Sequence, residues 1–174
     1  MAGSLKPALS EPAFQRRPIS PQSRLHDSKG MQDDASPIRV FLADDSALSR
    51  RRVAELLAGQ GVVVAGEADT PGSAVTGILA SRPDVVILDV QFSKGTGLQV
   101  LQAVRKVAPH IAFIVLSNHA EAAYRTRYLA EGADCFLDKH AEFYQLRGAV
   151  ARLARLRPVG QPVFSPQSKE PSCL

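Results

Sequence analysis

Short apolar runs alternate with helical patterns along most of this chain. The runs cover residues 38–43, 62–66, 84–89, 111–116 and 135–137, and helical spacing of apolar residues covers 46–59, 72–81, 98–107, 120–131 and 141–156. Apolar runs this short, separated by helices, predict a parallel sheet whose two faces are both covered by helices. We therefore expect an α/β domain with five strands and five helices.

The alternating pattern predicts one domain over residues 37–157. A core of about 120 residues can fold without disulfides or a structural metal. Residues 1–36 and 158–174 are rich in proline and polar residues, so we expect two disordered tails. Translation starting at Met31 is an alternative for the first of them. Cys135 and Cys173 are too few for a disulfide framework, and Cys135 reads as a small core residue.

Composition excludes some classes of protein. No apolar run approaches the roughly 20 residues of a membrane span, and no signal peptide is recognisable, so we expect a cytoplasmic protein. A net charge of +4 does not by itself indicate a nucleic-acid partner. Arginines cluster at 50–52 and at 147–157. These clusters are either solvated helix faces or a surface for acidic partners.

Polar residues close four of the five predicted strands. Asp44 and Asp45 follow the first strand, Asp89 the third, Ser117 the fourth, and Lys139 stands just beyond the fifth. In an open parallel sheet these positions share one edge. Clustered carboxylates repel each other, and a hard cation such as Mg²⁺ relieves this repulsion. With a lysine and a hydroxyl beside them, they suit phosphoryl transfer to a carboxylate.

These motifs resemble the receiver domain of bacterial response regulators over residues 38–150. They are the Asp44-Asp45 pair, Asp89 after Val-Val-Ile-Leu, Gly97 eight residues later, Ser117 after Ile-Val-Leu, and the segment 132–139 that ends in Lys139. The resemblance implies a flavodoxin-like (βα)5 three-layer sandwich with strand order 2-1-3-4-5. Within the family the chain is similar to stand-alone receivers and to NarL-type receivers.

The resemblance also implies a role for each site residue. Asp89 is the phosphoacceptor, and Asp44, Asp45, Asp89 and the Gln91 carbonyl hold Mg²⁺. Lys139 and Ser117 contact the phosphoryl group, Ser117 and Phe136 act as the switch, and Gln91 and His119 tune the phosphoryl lifetime. Apart from this implied role, the position of His119 at a helix start predicts a partly exposed side chain. The alternative is that His119 is a metal ligand or a proton carrier.

The implied partners are a histidine kinase or histidine phosphotransfer protein upstream and a protein of unknown identity downstream. We expect slow Mg²⁺-dependent self-phosphorylation and self-dephosphorylation rather than an enzyme. Too little sequence follows Arg157 for a DNA-binding domain, so no direct contact with DNA is expected. The predicted output surface carries two tyrosines and three arginines, namely Tyr124, Arg125, Arg127, Tyr128 and Arg147. The alternative is that the two tyrosines stack along a helix surface.

Two segments depart from the family pattern. Phe92-Ser93 replaces the usual Met-Pro, which predicts a looser loop, and His140 replaces the usual proline after the lysine. A phosphorylation-independent interaction module remains the alternative function. A phosphohydrolase would need an acid/base carboxylate two residues after Asp89, where Gln91 stands.

Overall fold

The computed structural model describes residues 36–156 except Gln60 and Ala120. Its strands are β1 (Ile38–Ala43), β2 (Val62–Ala68), β3 (Val85–Leu88), β4 (Gln91–Phe92), β5 (Gly95–Thr96), β6 (Ala112–Ser117) and β7 (Cys135–Asp138). Five of them form a parallel sheet in the order β2-β1-β3-β6-β7, which is the predicted order. The predicted tails lie outside the described residues apart from Ser36, as do Met31 and Cys173.

The helices are α1 (Ala47–Leu57), α2 (Pro71–Ser81), α3 (Gly97–Val107), α4 (Ala122–Ala130) and α5 (Leu146–Leu156). The last helix begins later than the predicted residue 141, because a 3-10 turn at Phe143–Gln145 precedes it. The Asp138 carboxylate accepts hydrogen bonds from the backbone of His140 and Ala141 and turns the chain there. None of the helices in the described range has the length and apolarity to cross a bilayer.

The sheet separates two apolar cores. Side chains alternate between its faces along each strand, as the two-residue period of a strand requires. Phe41, Val86, Phe113 and Phe136 point to the face covered by α2, α3 and α4. Val40, Ile87, Ile114 and Leu137 point to the face covered by α1 and α5. The domain is therefore a three-layer flavodoxin-like sandwich, and Cys135 lies half-buried against the second core.

Phe41 occupies a slot between two glycines. The pairing of β1 with β2 shifts register between Val40 and Phe41, which brings Gly66 beside the Phe41 ring. A Cβ on Gly66 would lie 2.7 Å from that ring, and a Cβ on Gly77 in α2 would also lie 2.7 Å from it. Both distances are shorter than two non-bonded carbon atoms can approach, so only glycine at these two positions leaves room for the Phe41 ring.

Arg105 in α3 ties together the segments that flank β6. Its guanidinium donates to the carbonyls of Gly132 and Ile111 and pairs with the Asp134 carboxylate at 2.6 Å. It also lies 4.9 Å from the centre of the Phe113 ring. Asp134 in turn accepts from the Phe113 backbone. Both charges are mostly buried, and the ion pair joins α3 to the residue that directly precedes β7.

Candidate functional site

Three carboxylates meet at the carboxyl edge of the sheet. Asp44 and Asp45 follow β1, and Asp89 follows β3, its direct neighbour in the sheet. Each of the three places one oxygen within 4.8 Å of the others. Asp44 is buried, Asp89 is half-buried and Asp45 is exposed. The structure thus brings together the three acidic residues that the sequence placed at successive strand ends.

Lys139 lies between two of these carboxylates. Its Nζ is 2.7 Å from Asp44 Oδ2 and 3.1 Å from Asp89 Oδ1, and all three side chains are less than 15% exposed. The Lys139 backbone N–H donates to the Ser117 carbonyl, which anchors the lysine to β6. Burial raises the pKa of Asp89; Lys139 opposes this rise and the charge of Asp44 adds to it.

The start of α1 holds Asp44 in place. The Asp44 carboxylate accepts from the Ser46 backbone at 2.8 Å and from the Ser49 hydroxyl at 2.6 Å. Arg50 donates to the Asp44 carbonyl and pairs with Glu67 at 2.8 Å. The sequence placed Arg50 in a cluster and missed Ser49 altogether. Two serines within one helical turn after an acidic pair were the available signal.

A short hairpin follows Asp89. Strands β4 and β5 pair antiparallel, and the backbone of Ser93 between them donates to Asp45 Oδ2 at 2.6 Å. Gly95 closes the turn with a positive φ of 117°, a conformation that favours glycine. The sequence predicted a looser loop here and did not predict this pair of short strands. The hairpin and its bond to Asp45 hold this segment in a sequence that has no proline there.

Gly97 packs directly on the backbone of Asp89. A Cβ at position 97 would lie 2.0 Å from the Asp89 carbonyl oxygen, so no side chain fits. The Gly97 N–H donates to the Val90 carbonyl at 2.9 Å. The first residue of α3 therefore fixes the backbone that carries Asp89.

Ser117 and His119 lie on the other side of the cleft. Ser117 is buried at the end of β6, and its hydroxyl accepts from the His119 backbone at 2.9 Å. The His119 ring is about half exposed and lies 3.8 Å from the Glu121 carboxylate. An open cleft is lined by residues from three strand ends, namely Asp45, Asp89, Gln91, Phe92, Ser93, Asn118 and His119. Asn118 was not predicted as part of the site.

Phe136 is buried between two side chains of α4. Its ring lies edge-on to Tyr128, with centroids 6.1 Å apart, and the Arg125 guanidinium lies 5.1 Å from its centre. Arg125 also donates to the Phe136 carbonyl and to Glu142. Bonds from the Asp138 backbone and from Arg125 lower the pKa of Glu142. These contacts tie α4 to the strand that leads to Lys139.

The structure removes Tyr128 from the predicted output surface. Tyr128 is only 2% exposed, whereas Tyr124 is 37% exposed and lies against His119. The alternative of two tyrosines stacked on the surface is therefore wrong as well. Arg147 donates to the Leu56 carbonyl at the end of α1, so its side chain is directed toward that helix. Tyr128 was misplaced because α4 buries the side of the helix that carries it.

Solved structures define the class of protein to which this fold belongs. The signal receiver domain of the response regulator NarL from Mycobacterium tuberculosis is 33% identical, with a TM-score of 0.63. The match covers 69% of this chain and 98% of that domain. The response regulator domain of Thermotoga maritima CheB is 26% identical, with a TM-score of 0.61, over 72% of this chain and 99% of that one. The fold is that of a two-component receiver domain.

Sequence comparison identifies the family. The family described as "Response regulator receiver domain" matches residues 40–151, and the chain belongs to it. The probable transcriptional regulatory protein NarL of M. tuberculosis is 36% identical over 126 residues, which are 72% of this chain and 58% of that protein. The chemotaxis protein CheY of T. maritima is 29% identical over 101 residues, 58% of this chain and 84% of that protein. The chain thus spans less than two thirds of the NarL relative.

Proposed function

We propose that this receiver domain, residues 37–157, accepts a phosphoryl group on Asp89 from a histidine kinase or a histidine phosphotransfer protein. The phosphorylated state then passes to a downstream protein by direct contact. One observation carries the proposal: the Asp89 carboxylate shares its surroundings with two other carboxylates and lies 3.1 Å from the Lys139 ammonium. Such a cluster suits the transfer of a negatively charged group once a cation is present.

Asp89 would act as the nucleophile. Lys139 contacts Oδ1, which leaves Oδ2 to attack the phosphorus of a phosphohistidine. As the bond between oxygen and phosphorus forms, the bond between phosphorus and nitrogen breaks. Its electron pair stays on the imidazole nitrogen of the donor, which takes up a proton. The product is an acyl phosphate, and hydrolysis by water returns Asp89 and inorganic phosphate.

The donor set fits Mg²⁺. Oxygen ligands from Asp44, Asp45 and Asp89 lie close enough to share one ion, and the Gln91 carbonyl would complete the protein ligands. Such an ion neutralises charge on the phosphoryl oxygens. Lys139 would bind another of those oxygens. The Ser117 hydroxyl accepts from His119 and so has its own proton left to donate.

Two further roles follow from position. Ser117 and Phe136 would move together as the switch, since β6 and β7 are neighbours and pair Val115 with Phe136. Gln91 and His119 line the cleft beside Asp89, where they would control the approach of water to the acyl phosphate. We expect slow self-phosphorylation and self-dephosphorylation that depend on Mg²⁺.

Intact mass spectrometry tests the acceptor. Wild-type protein incubated with Mg²⁺ and acetyl phosphate is expected to gain one phosphoryl group, and Asp89→Asn none. Asp84→Asn is the matched control, because Asp84 stands just before the opposite end of β3, where its carboxylate accepts a hydrogen bond from the Arg39 backbone. No gain in the wild type would favour the phosphorylation-independent interaction module.

The decay of the phosphorylated protein tests the two cleft residues. A double variant, Gln91→Ala with His119→Ala, is expected to lose its phosphoryl group at a different rate from the wild type. Equal decay rates would show that Gln91 and His119 do not control the phosphoryl lifetime, and would leave the proposed role of Asp89 unchanged.

A further inference from the structure

Tyr128 connects α4 to the backbone beside Asp89. Its hydroxyl donates to the Val90 carbonyl at 3.1 Å, across 38 positions of sequence, and the side chain is buried. Val90 directly follows Asp89 and directly precedes Gln91. A buried tyrosine hydroxyl needs partners, and the group to which this one donates is a main-chain carbonyl between two proposed site residues.

The Val90 carbonyl is held from two directions. Gly97 at the start of α3 donates to it at 2.9 Å, and Tyr128 donates from α4. Gly97 also leaves no space next to the Asp89 carbonyl. On either side of it, the Asp89 N–H donates to the Ala43 carbonyl and Gln91 pairs with Thr96. Tyr128 is the side chain that holds the carbonyl between them.

The ring of Tyr128 has a second neighbour. It contacts the Phe136 ring edge-on, so a displacement of Phe136 would change the packing around the hydroxyl. Burial raises the pKa of Tyr128 to about 12, and the nearby charge of Asp89 adds to that rise. The phenol therefore stays protonated, and remains a donor, across the physiological pH range.

We propose that Tyr128 is a positioning residue, which aims the Asp89–Gln91 backbone for metal and phosphoryl binding and couples that binding to α4. The inference rests on the proposed function and deepens it. Coupling between two sites is reciprocal, so a ligand that binds at the carboxylates must also change the surroundings of Tyr128. Both directions can be measured.

The first measurement is Mg²⁺ affinity by titration calorimetry. Loss of one hydrogen bond that positions a ligand is expected to weaken Mg²⁺ binding by about threefold to tenfold in Tyr128→Phe. The same variant should react more slowly with acetyl phosphate at saturating Mg²⁺. Tyr144→Phe is the control, since Tyr144 is 75% exposed and its hydroxyl accepts a hydrogen bond from the neighbouring Gln145. Circular dichroism checks that both variants are folded.

The second measurement keeps the side chain. The chain has three tyrosines, so 3-fluorotyrosine labelling gives three ¹⁹F resonances that Tyr→Phe variants assign. Addition of Mg²⁺, and then of beryllofluoride as a phosphoryl mimic, is expected to shift the Tyr128 resonance while that of Tyr144 stays in place. An unmoved Tyr128 resonance would show that binding at the carboxylates is not transmitted to the tyrosine.

The outcomes separate the two proposals. Wild type that binds no Mg²⁺ and gains no phosphoryl group overturns the proposed function, and this inference with it. Wild type that does both, with unchanged Mg²⁺ affinity in Tyr128→Phe and an unmoved Tyr128 resonance, overturns this inference alone. A Tyr128→Phe variant that fails to fold leaves the ¹⁹F result to decide.

Discussion

Replacing Lys139 by methionine is expected to destabilise the domain strongly in metal-free buffer. The ammonium lies 2.7 Å from Asp44 and 3.1 Å from Asp89, and all three side chains are mostly buried. Removing one partner of a buried ion pair leaves charge uncompensated and costs about 3–5 kcal/mol. Methionine keeps most of the stem, so the loss reports the charge. Against a typical free energy of unfolding of about 5–15 kcal/mol, this is a large fraction.

Both Mg²⁺ and acid should narrow the difference between variant and wild type. A cation that binds only the folded state adds stability, and the variant lacks the ammonium that would repel it. The pKa of Asp89 is raised by burial and held back by Lys139, so the variant should raise it further. A carboxyl with a raised folded pKa stabilises the fold below its unfolded pKa and loses that contribution as pH rises through the folded pKa. The deficit of the variant should therefore shrink as the pH falls toward about 4.

Urea unfolding, followed by far-ultraviolet circular dichroism with EDTA or Mg²⁺ at two pH values, measures these effects. Lys106→Met is the control, because Lys106 is exposed on α3 and its loss should change stability by no more than about 0.5 kcal/mol. A loss below about 1 kcal/mol for Lys139→Met would contradict the ion-pair reasoning. So would a deficit that grows when Mg²⁺ is added.

Three further outcomes follow from contacts described above. Gly97→Ala forces the new Cβ against the Asp89 carbonyl, so we expect a loss of about 1–3 kcal/mol in urea unfolding and impaired phosphorylation by intact mass. Arg105→Met strands the Asp134 carboxylate and should cost about 3–5 kcal/mol by urea unfolding, with Arg105→Lys recovering only part; a loss under about 1 kcal/mol would contradict the buried pairing. For Tyr128, whose pKa is raised to about 12, stability should fall as pH rises from about 10 through 12. Absorbance titration should show a tyrosinate near pH 12 in the wild type and not in Tyr128→Phe; superimposable curves would show that the phenol is not buried as described.

The strands and the acidic edge were predictable because they depend on local pattern, whereas the strand order came from the resemblance to receiver domains. The apolar run at 84–89 is long enough to indicate a buried strand, and both the Asp44-Asp45 pair and Asp89 stand directly at strand ends. Once the strands are parallel, their carboxyl ends must share an edge. Lys139 follows for the same reason, since it stands one residue beyond β7.

The contacts around that edge could not be read from the sequence. Tyr128 reaches Val90 across 38 positions, and Arg50 reaches Glu67 across 17, so neither pair leaves a local signature. Tyr124 and Tyr128 are four residues apart, which suggests a shared helix face, yet only Tyr124 is substantially exposed. The exposure of each tyrosine depends on how deeply α4 packs against its neighbours. The spacing of apolar residues along the sequence does not show how deep that packing is. Strands of two residues, such as β4, fall below any detectable period.

The slot around Phe41 constrains how this sequence can diverge. Gly66 and Gly77 come from different elements, yet both face one ring with no space for a methyl group. A relative that carries alanine at either position would need a smaller residue at 41, and one that shrinks residue 41 would leave a void that larger neighbours could fill. Because each single substitution is unfavourable, residues 41, 66 and 77 should change together in proteins that diverge from this sequence.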